Sequence, residues 1–123
     1  MEWVFPLSPV AASRPRVGRW GTYYTGTYKD FREAVGPLIR EVVGDWTPLS
    51  GPLSVEVGIF PAKPKTTKLD FPRPDIDNYV KSIFDSCNGV LWEDDMQIVR
   101  VVAGKGWAED DGYFWIKLEK LDG

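Results

Sequence analysis

The 123-residue chain predicts an α/β fold: a small mixed β-sheet packed by two helices, in the order β-α-β-α-β-β, as a single domain over 1–123. Three observations carry this. Residues 28–43 and the stretch between Asp75 and Gly89 repeat apolar residues at steps of three and four, the period of a helix with one buried face. Residues 2–5, 53–60, 97–103 and 113–118 are short and rich in Val, Ile and aromatic residues, as strands are. Hydrophobic residues make up 43% of the chain and aromatics 14%, enough for one core in a chain of one-domain size.

Taken in order, residues 2–5 predict a first strand, ended by Pro6. Residues 6–27 are rich in Pro, Gly, Ser and Thr and predict irregular structure. Here Arg14, Arg16 and Arg19 interleave with Trp20, Tyr23 and Tyr24. Guanidinium groups beside aromatic rings pair with phosphates and stack on unpaired bases, but an ordinary loop packs the same rings onto the core. The helix over 28–43 turns Phe31, Val35, Leu38, Ile39 and Val42 inward, with Gly44 as its stop. Gly36-Pro37 predicts a kink or two shorter helices, because proline lacks the N–H and crowds the preceding turn. Residues 45–52 are a linking loop, and Leu53 to Phe60 predicts a strand. Residues 61–74 combine Pro61, Pro64, Pro72 and Pro74 with Lys63, Lys65, Lys68 and Arg73. That predicts a mobile basic loop, either a holder of a nucleic-acid backbone or simply a solvated segment.

The loop leads into the stretch on which the rest depends, residues 73–97. Asp75 is placed to cap a helix through its carboxylate, Pro74 discourages an earlier start, and Gly89 supplies a left-handed stop. Ile76, Val80, Phe84 and Cys87 form one apolar stripe, and Asp77, Lys81 and Asp85 a charged one. Asp75 and Asp77 thus stand at the helix start, with Glu93, Asp94 and Asp95 beyond a tight turn. Carboxylates that converge in this way suit a hard divalent cation; taken singly, they are caps, a turn and a solvated face. Gln97 to Ala103 then predicts a strand with Val99, Val101 and Ala103 on one face, followed by a bulge or bend at 104–106. A turn at 109–112 leads to a closing strand over 113–118, paired with its predecessor as an antiparallel hairpin.

Composition narrows the chemistry. The sequence has no histidine, which removes Ser-His-Asp and Cys-His catalysis and any His-ligated zinc. Its one cysteine, Cys87, forms no internal disulfide and suits a reducing, cytoplasmic setting as a packed thiol. No apolar run is long enough to span a membrane, and the N-terminus does not read as a secretory signal. The net charge of −3 is unevenly spread. Residues 1–73 hold 10 Lys/Arg and 7 Asp/Glu, a balance of +3, and residues 74–123 hold 5 and 11, a balance of −6. A basic surface beside a metal-loaded acidic pocket suits a phosphodiester substrate.

The run Pro74-Asp75-Ile76-Asp77-Asn78-Tyr79-Val80-Lys81, then Asp85, Asn88-Gly89 and Trp92-Glu93-Asp94-Asp95-Met96-Gln97, resembles the signature of the RusA family of Holliday junction resolvases. Ala12-Ser13-Arg14-Pro15-Arg16 and Tyr23-Tyr24-Thr25 resemble the N-terminal part of many members. The likeness is dense over 73–100, present over about 9–28 and weaker elsewhere. One departure is that the basic residues before the acidic motif are spread out, with only Arg73 adjacent to it.

The resemblance implies a Mg²⁺-dependent endodeoxyribonuclease, with Mn²⁺ as a substitute, acting as a homodimer on four-way DNA junctions. It implies Asp75, Asp77 and Asp95 as catalytic metal ligands, and Lys81 as the catalytic lysine that neutralises phosphate or leaving-group charge. Asp94 is a ligand, a partner of one, or a turn residue; Asp85 would orient Lys81, and Asn78 would hydrogen-bond a ligating carboxylate. DNA contacts fall to Arg14, Arg16, Arg19, Lys63, Lys65, Lys68 and Arg73. Asp77–Lys81 is equally an ordinary helical ion pair worth ~0.2–0.5 kcal/mol. Two other functions stand beside this one: a junction-binding protein that has lost cleavage, against which the intact Asp75, Asp77, Lys81 and Asp95 argue, and a metal-dependent phosphohydrolase of small phosphoesters, less favoured by the basic 63–73 loop but not excluded by it.

Overall fold

A computed structural model describes residues 1–13, 16–18, 21–23 and 26–121, with side chains described for 1–13 and 27–121. The elements are β1 (Glu2–Phe5), β2 (Arg16–Gly18), β3 (Gly21–Tyr23), α1 (Gly26–Val43), β4 (Leu53–Pro61), α2 (Ile76–Cys87), a single 3-10 turn (Asp95–Gln97), β5 (Ile98–Lys105) and β6 (Gly112–Lys120). Four strands form one mixed sheet in the order β1-β6-β4-β5, and two helices complete the α/β architecture read from the sequence. The segment expected to be irregular contains a short antiparallel pair, β2 with β3. Both strands are only three residues long, too short for alternation to mark them.

β4 is the centre of the sheet. It pairs parallel with β5 and antiparallel with β6. Its alternation turns Leu53, Val55, Val57 and Ile59 inward, all at most 1% exposed. They meet Phe31, Val35 and Ile39 of α1, and Tyr79, Ile83, Phe84 and Cys87 of α2, in one core with Phe5, Phe114, Ile116 and Leu118. The other face of the sheet carries the Glu56–Lys117 ion pair and a hydrogen bond from Arg100 to the Ser54 hydroxyl, so both helices cover the same side. Cys87 is fully buried, and burial pushes its thiol well above the usual range, as a packed thiol requires.

α1 runs unbroken through Pro37, so the expected division into two helices does not occur. Phe31, Val35 and Ile39 bury one continuous face across the Gly36-Pro37 step, and that packing offsets the lost backbone bond. Gly44 ends the helix at φ 60°, its N–H donating to the Arg40 carbonyl, as expected of a glycine stop. In α2 the buried stripe is centred on Tyr79, Ile83 and Cys87, with Ile76 and Val80 at its margin.

The expected β5–β6 hairpin is absent. After β5 the chain continues along the end of β4: the Gly106 N–H donates to the Ile59 carbonyl at 3.0 Å and the Ala108 N–H to the Pro61 carbonyl at 2.9 Å. It then crosses over and returns as β6 on the opposite side of β4. This leaves β5 at the sheet edge, with Val99 and Val101 exposed. No bulge occurs at 104–106; Gly104 and Lys105 belong to β5, and the register shift lies at Leu53/Ser54.

Candidate active site

The structure sets α2 and β5 side by side in opposite directions. At one end, the Lys105 ammonium closing β5 donates to the carbonyls of Pro72 (2.8 Å) and Pro74 (2.6 Å), just ahead of α2. At the other end, the 3-10 turn that opens β5 lies beside the C-terminus of α2, where Asn88 faces the Asp95 carboxylate. The candidate carboxylates divide between these two ends.

At the first end, Asp75 occupies the N-cap position of α2 with extended backbone, as Pro74 favours. Its carboxylate makes no capping bond, contrary to expectation; the Asp75 carbonyl receives the N–H groups of Asn78 and Tyr79 instead. Among the described residues Asp77 accepts only from the neighbouring Asn78 N–H, at 3.0 Å. Both carboxylates are exposed. The Asn78 carbonyl accepts from the Ala12 N–H at 2.9 Å, so the N-terminal segment reaches the first turn of α2 just before Arg14. Arg14 and Arg19 lie outside the described residues, as does the side chain of Arg16.

Along the helix, Lys81 reaches forward to Asp85, 3.4 Å between Nζ and Oδ2. The ordinary Asp77–Lys81 pair is not the one formed. Both side chains are exposed, so the ion pair contributes orientation more than stability.

The second end is built more tightly. Trp92 is fully buried and its indole N–H donates to Asn88 Oδ1 at 2.7 Å. Gly89 has φ 78° and its N–H returns to the Trp92 carbonyl, which makes it a turn residue after an extended Asn88 cap. Asp94 caps the 3-10 turn: its Oδ1 accepts the Met96 N–H and its own N–H donates to Gln97 Oε1. Gln97 in turn donates to the carbonyls of Leu49 and Gly51, pinning the turn to the loop before β4. Asp95 is half-buried, and its carboxyl is raised above the ordinary carboxylate range. Loss of water is the largest cause, Asp94 and Asp85 add like charge, and Asn88 opposes them.

The 61–74 loop has no helix or strand beyond Pro61, as its prolines predict, but it is anchored where a mobile loop was expected. Besides the Lys105 bonds, the Trp107 indole donates to the Leu69 carbonyl at 3.0 Å, and the Leu69 N–H donates to the Thr67 hydroxyl. Lys63, Lys65, Lys68 and Arg73 project from it, all exposed. Sequence reasoning gave no role to Lys105, Gln97 or Asn88. Asn88 and Gln97 stand in the quoted motif, but their partners are distant in sequence; Lys105 carries no local signal at all.

A family model described as Endodeoxyribonuclease RusA matches residues 6–119. The chain belongs to the RusA family. It is also 28% identical over 120 residues to the uncharacterized protein YqaN of Bacillus subtilis (strain 168), covering 83% of this chain and 84% of that one. RusA proteins are nucleases of branched DNA junctions and are generally dependent on a divalent metal, so at family level this is an endodeoxyribonuclease with a DNA substrate.

How well the RusA chain's own donors fit such a metal is a matter of coordination chemistry. Among the described residues no group of three or more acidic or thiol side chains lies close enough to hold one ion. Mg²⁺ needs fewer: it keeps several waters and is commonly held by one or two carboxylates plus substrate phosphate oxygens. Asp75 and Asp77, exposed and making no hydrogen bond beyond their own turn among the described residues, provide hard oxygen donors of that kind. The mutual repulsion of Asp85, Asp94 and Asp95 is what a cation at the second end would relieve.

Proposed function

We propose that this protein is a Mg²⁺-dependent resolvase that cuts four-way DNA junctions by paired nicks in recombination and repair. The observation that carries the reading is the freedom of Asp75: a carboxylate at a helix start that does not cap the helix is available to a ligand. Asp75, Asp77 and Asp95 would hold Mg²⁺, or Mn²⁺ in its place, with Asp94 setting the turn that presents Asp95. When bound, the metal neutralises phosphate charge and lowers the pKa of an attacking water. Lys81, oriented by Asp85, faces the charge that develops on the phosphate or the departing oxygen. Asn78 holds a ligating carboxylate. Arg14, Arg16, Arg19, Lys63, Lys65, Lys68 and Arg73 receive the DNA backbone. No helix among the described residues is long and apolar enough to cross a membrane, and the work of the protein is cytoplasmic in this reading.

The proposal includes a homodimer. A junction presents two strands related by near two-fold symmetry, and a symmetric dimer presents two matching sites. β5 offers the edge: its outer backbone is unpaired in the sheet, and Met96 (81% exposed), Val99 (65%), Val101 and Val102 leave it apolar. Antiparallel pairing of two such edges would bring the Asp95 end of one copy to the Asp75 end of the other. In one chain those ends lie at opposite ends of α2, whose 12 residues span roughly 18 Å at the helical rise.

The test is cleavage of a labelled four-way junction with Mg²⁺ and with EDTA, against a linear duplex of the same sequence. Paired symmetric nicks confined to the junction and to the metal-containing reaction are expected. Binding without nicks would identify a junction-binding protein; neither would turn attention to small phosphoesters. Mixing Asp75→Asn with Asp95→Asn protein tests the paired edges, since only a site shared between copies regains cleavage in the mixture.

A further inference from the structure

A cleft of about 320 Å³ lies between α1 and α2, on the side where Asp85 and Asn88 face the Asp95 turn. On α1 its wall is Arg32, Gly36 and Arg40, spaced one turn apart and so on one face. A Cβ on Gly36 would stand 3.4 Å from the Arg40 guanidinium, so the glycine leaves open the space between the two arginines. Arg40 forms no ion pair among the described residues. The Arg32 guanidinium carbon lies 5.8 Å from the ring centroid of Tyr28, which is itself buried. On α2 the wall is Ser82, with Asp85 already paired to Lys81. Ser82 is 1% exposed, and its hydroxyl has no hydrogen-bond partner among the described residues, although its carbonyl accepts from Ser86 at 2.8 Å. A buried hydroxyl without a partner is unusual in a folded protein and points to a bond made in another state.

We propose that this cleft is a phosphate site, and that its occupant is a backbone phosphate of the DNA strand leading to the Asp95 end of the active site. The inference rests on the resolvase reading for the identity of the strand. Two guanidinium forks on one helix face match phosphate oxygens in geometry and charge, and a hydroxyl at the floor supplies a neutral donor. Arg32 and Arg40 outnumber Asp85 in the lining, so the cleft is net positive. None of these groups reads a base, so the cleft adds affinity and register without sequence preference.

The experiment measures junction affinity by fluorescence anisotropy against salt concentration in EDTA, for the full chain and for Arg40→Ala, Arg32→Gln and the double variant. Removing one arginine–phosphate pair lowers the slope of log affinity on log salt by about 0.9 per protomer. The double variant is expected to bind about tenfold more weakly at moderate salt, with its thermal midpoint near that of the wild type. An unchanged slope in the double variant overturns the proposal. Titration with inorganic phosphate alone, followed by amide shifts at Ser82 and Arg40, separates the two sources of phosphate. Shifts there, with an unchanged DNA slope, would overturn the backbone assignment in favour of a free phosphate. A wild type that binds no branched DNA counts against the resolvase reading instead. In that case shifts with inorganic phosphate still support an anion site, and their absence overturns it.

Discussion

The two ends of α2 hold acids of the same kind in opposite circumstances. At its start, Asp75 and Asp77 are exposed and, among the described residues, make no bond beyond their own turn, while backbone anchors from Lys105 fix the chain that carries them. At the far end, Asp94 is spent on a cap, Asp95 is half-buried among like charges, and Gln97 and Asn88 tie the turn to its surroundings. The first end is a set of available donors on a positioned backbone. The second is a strained arrangement of charge on a rigid turn. Function and stability should therefore respond differently to the same substitution at each end.

The sharpest break comes at the first end. Asp75→Asn is expected to lower junction cleavage more than about 100-fold, with binding in EDTA unchanged and stability within about 0.5 kcal/mol of wild type, since no capping bond is lost. Retained cutting would remove Asp75 from the ligand set. Asp95→Asn should also abolish cleavage, but its effect on stability has the opposite sign from a usual loss. The folded state holds the Asp95 proton more tightly than the unfolded chain does. Wild-type stability in EDTA therefore falls as pH rises from the ordinary carboxylate range through the raised value, and the penalty is fully present above it. The variant lacks that term, so its thermal midpoint at pH 7 without metal should equal or exceed wild type, and Mg²⁺ should raise the midpoint of the wild type alone. A variant clearly less stable than wild type at pH 7 would show that the favourable influence of Asn88 outweighs the repulsion.

The same contrast explains what the sequence disclosed. Asp75, Asp77, Lys81 and Asp85 follow from helical spacing, a local property, and the structure keeps their order on α2. The strands of the sheet and both helices were also legible, because alternation and the 3.6-residue period survive folding. Strand pairing was not. Nothing in residues 98–120 says that the chain will pass around the end of β4, because the bonds that direct it, from Gly106 to Ile59 and Ala108 to Pro61, join segments far apart. The availability of Asp75 was hidden for a related reason. An Asp before a helix usually caps it, and only the folded structure shows this one free.

Lys105 sharpens the comparison by connecting a distant strand to the first end. Lys105→Met removes two charge-assisted bonds to the Pro72 and Pro74 carbonyls, and partial exposure limits the expected loss to about 1–2 kcal/mol. As a positioning residue for Asp75 it should do more than destabilise. Cleavage is expected to fall about tenfold, and the Mg²⁺ concentration for half-maximal cleavage to rise, with partial rescue by Lys105→Arg. A lowered thermal midpoint with an unchanged Mg²⁺ requirement would reduce Lys105 to a structural tether.

The smallest expected effect decides the standing of Asp94. In the structure its carboxylate caps the 3-10 turn through the Met96 N–H, with Gln97 completing the reciprocal bond. If capping is its whole task, Asp94→Ala costs about 1 kcal/mol and slows cleavage less than tenfold, through a looser Asp95. Serine caps as well as aspartate but is a poor ligand for a hard cation, so Asp94→Ser separates the two roles. Recovery of both stability and cleavage in the serine variant would assign Asp94 to the turn. Recovery of stability alone, with cleavage as low as in Asp75→Asn, would make Asp94 a metal ligand, and the second end would then match the first in function as well as in composition.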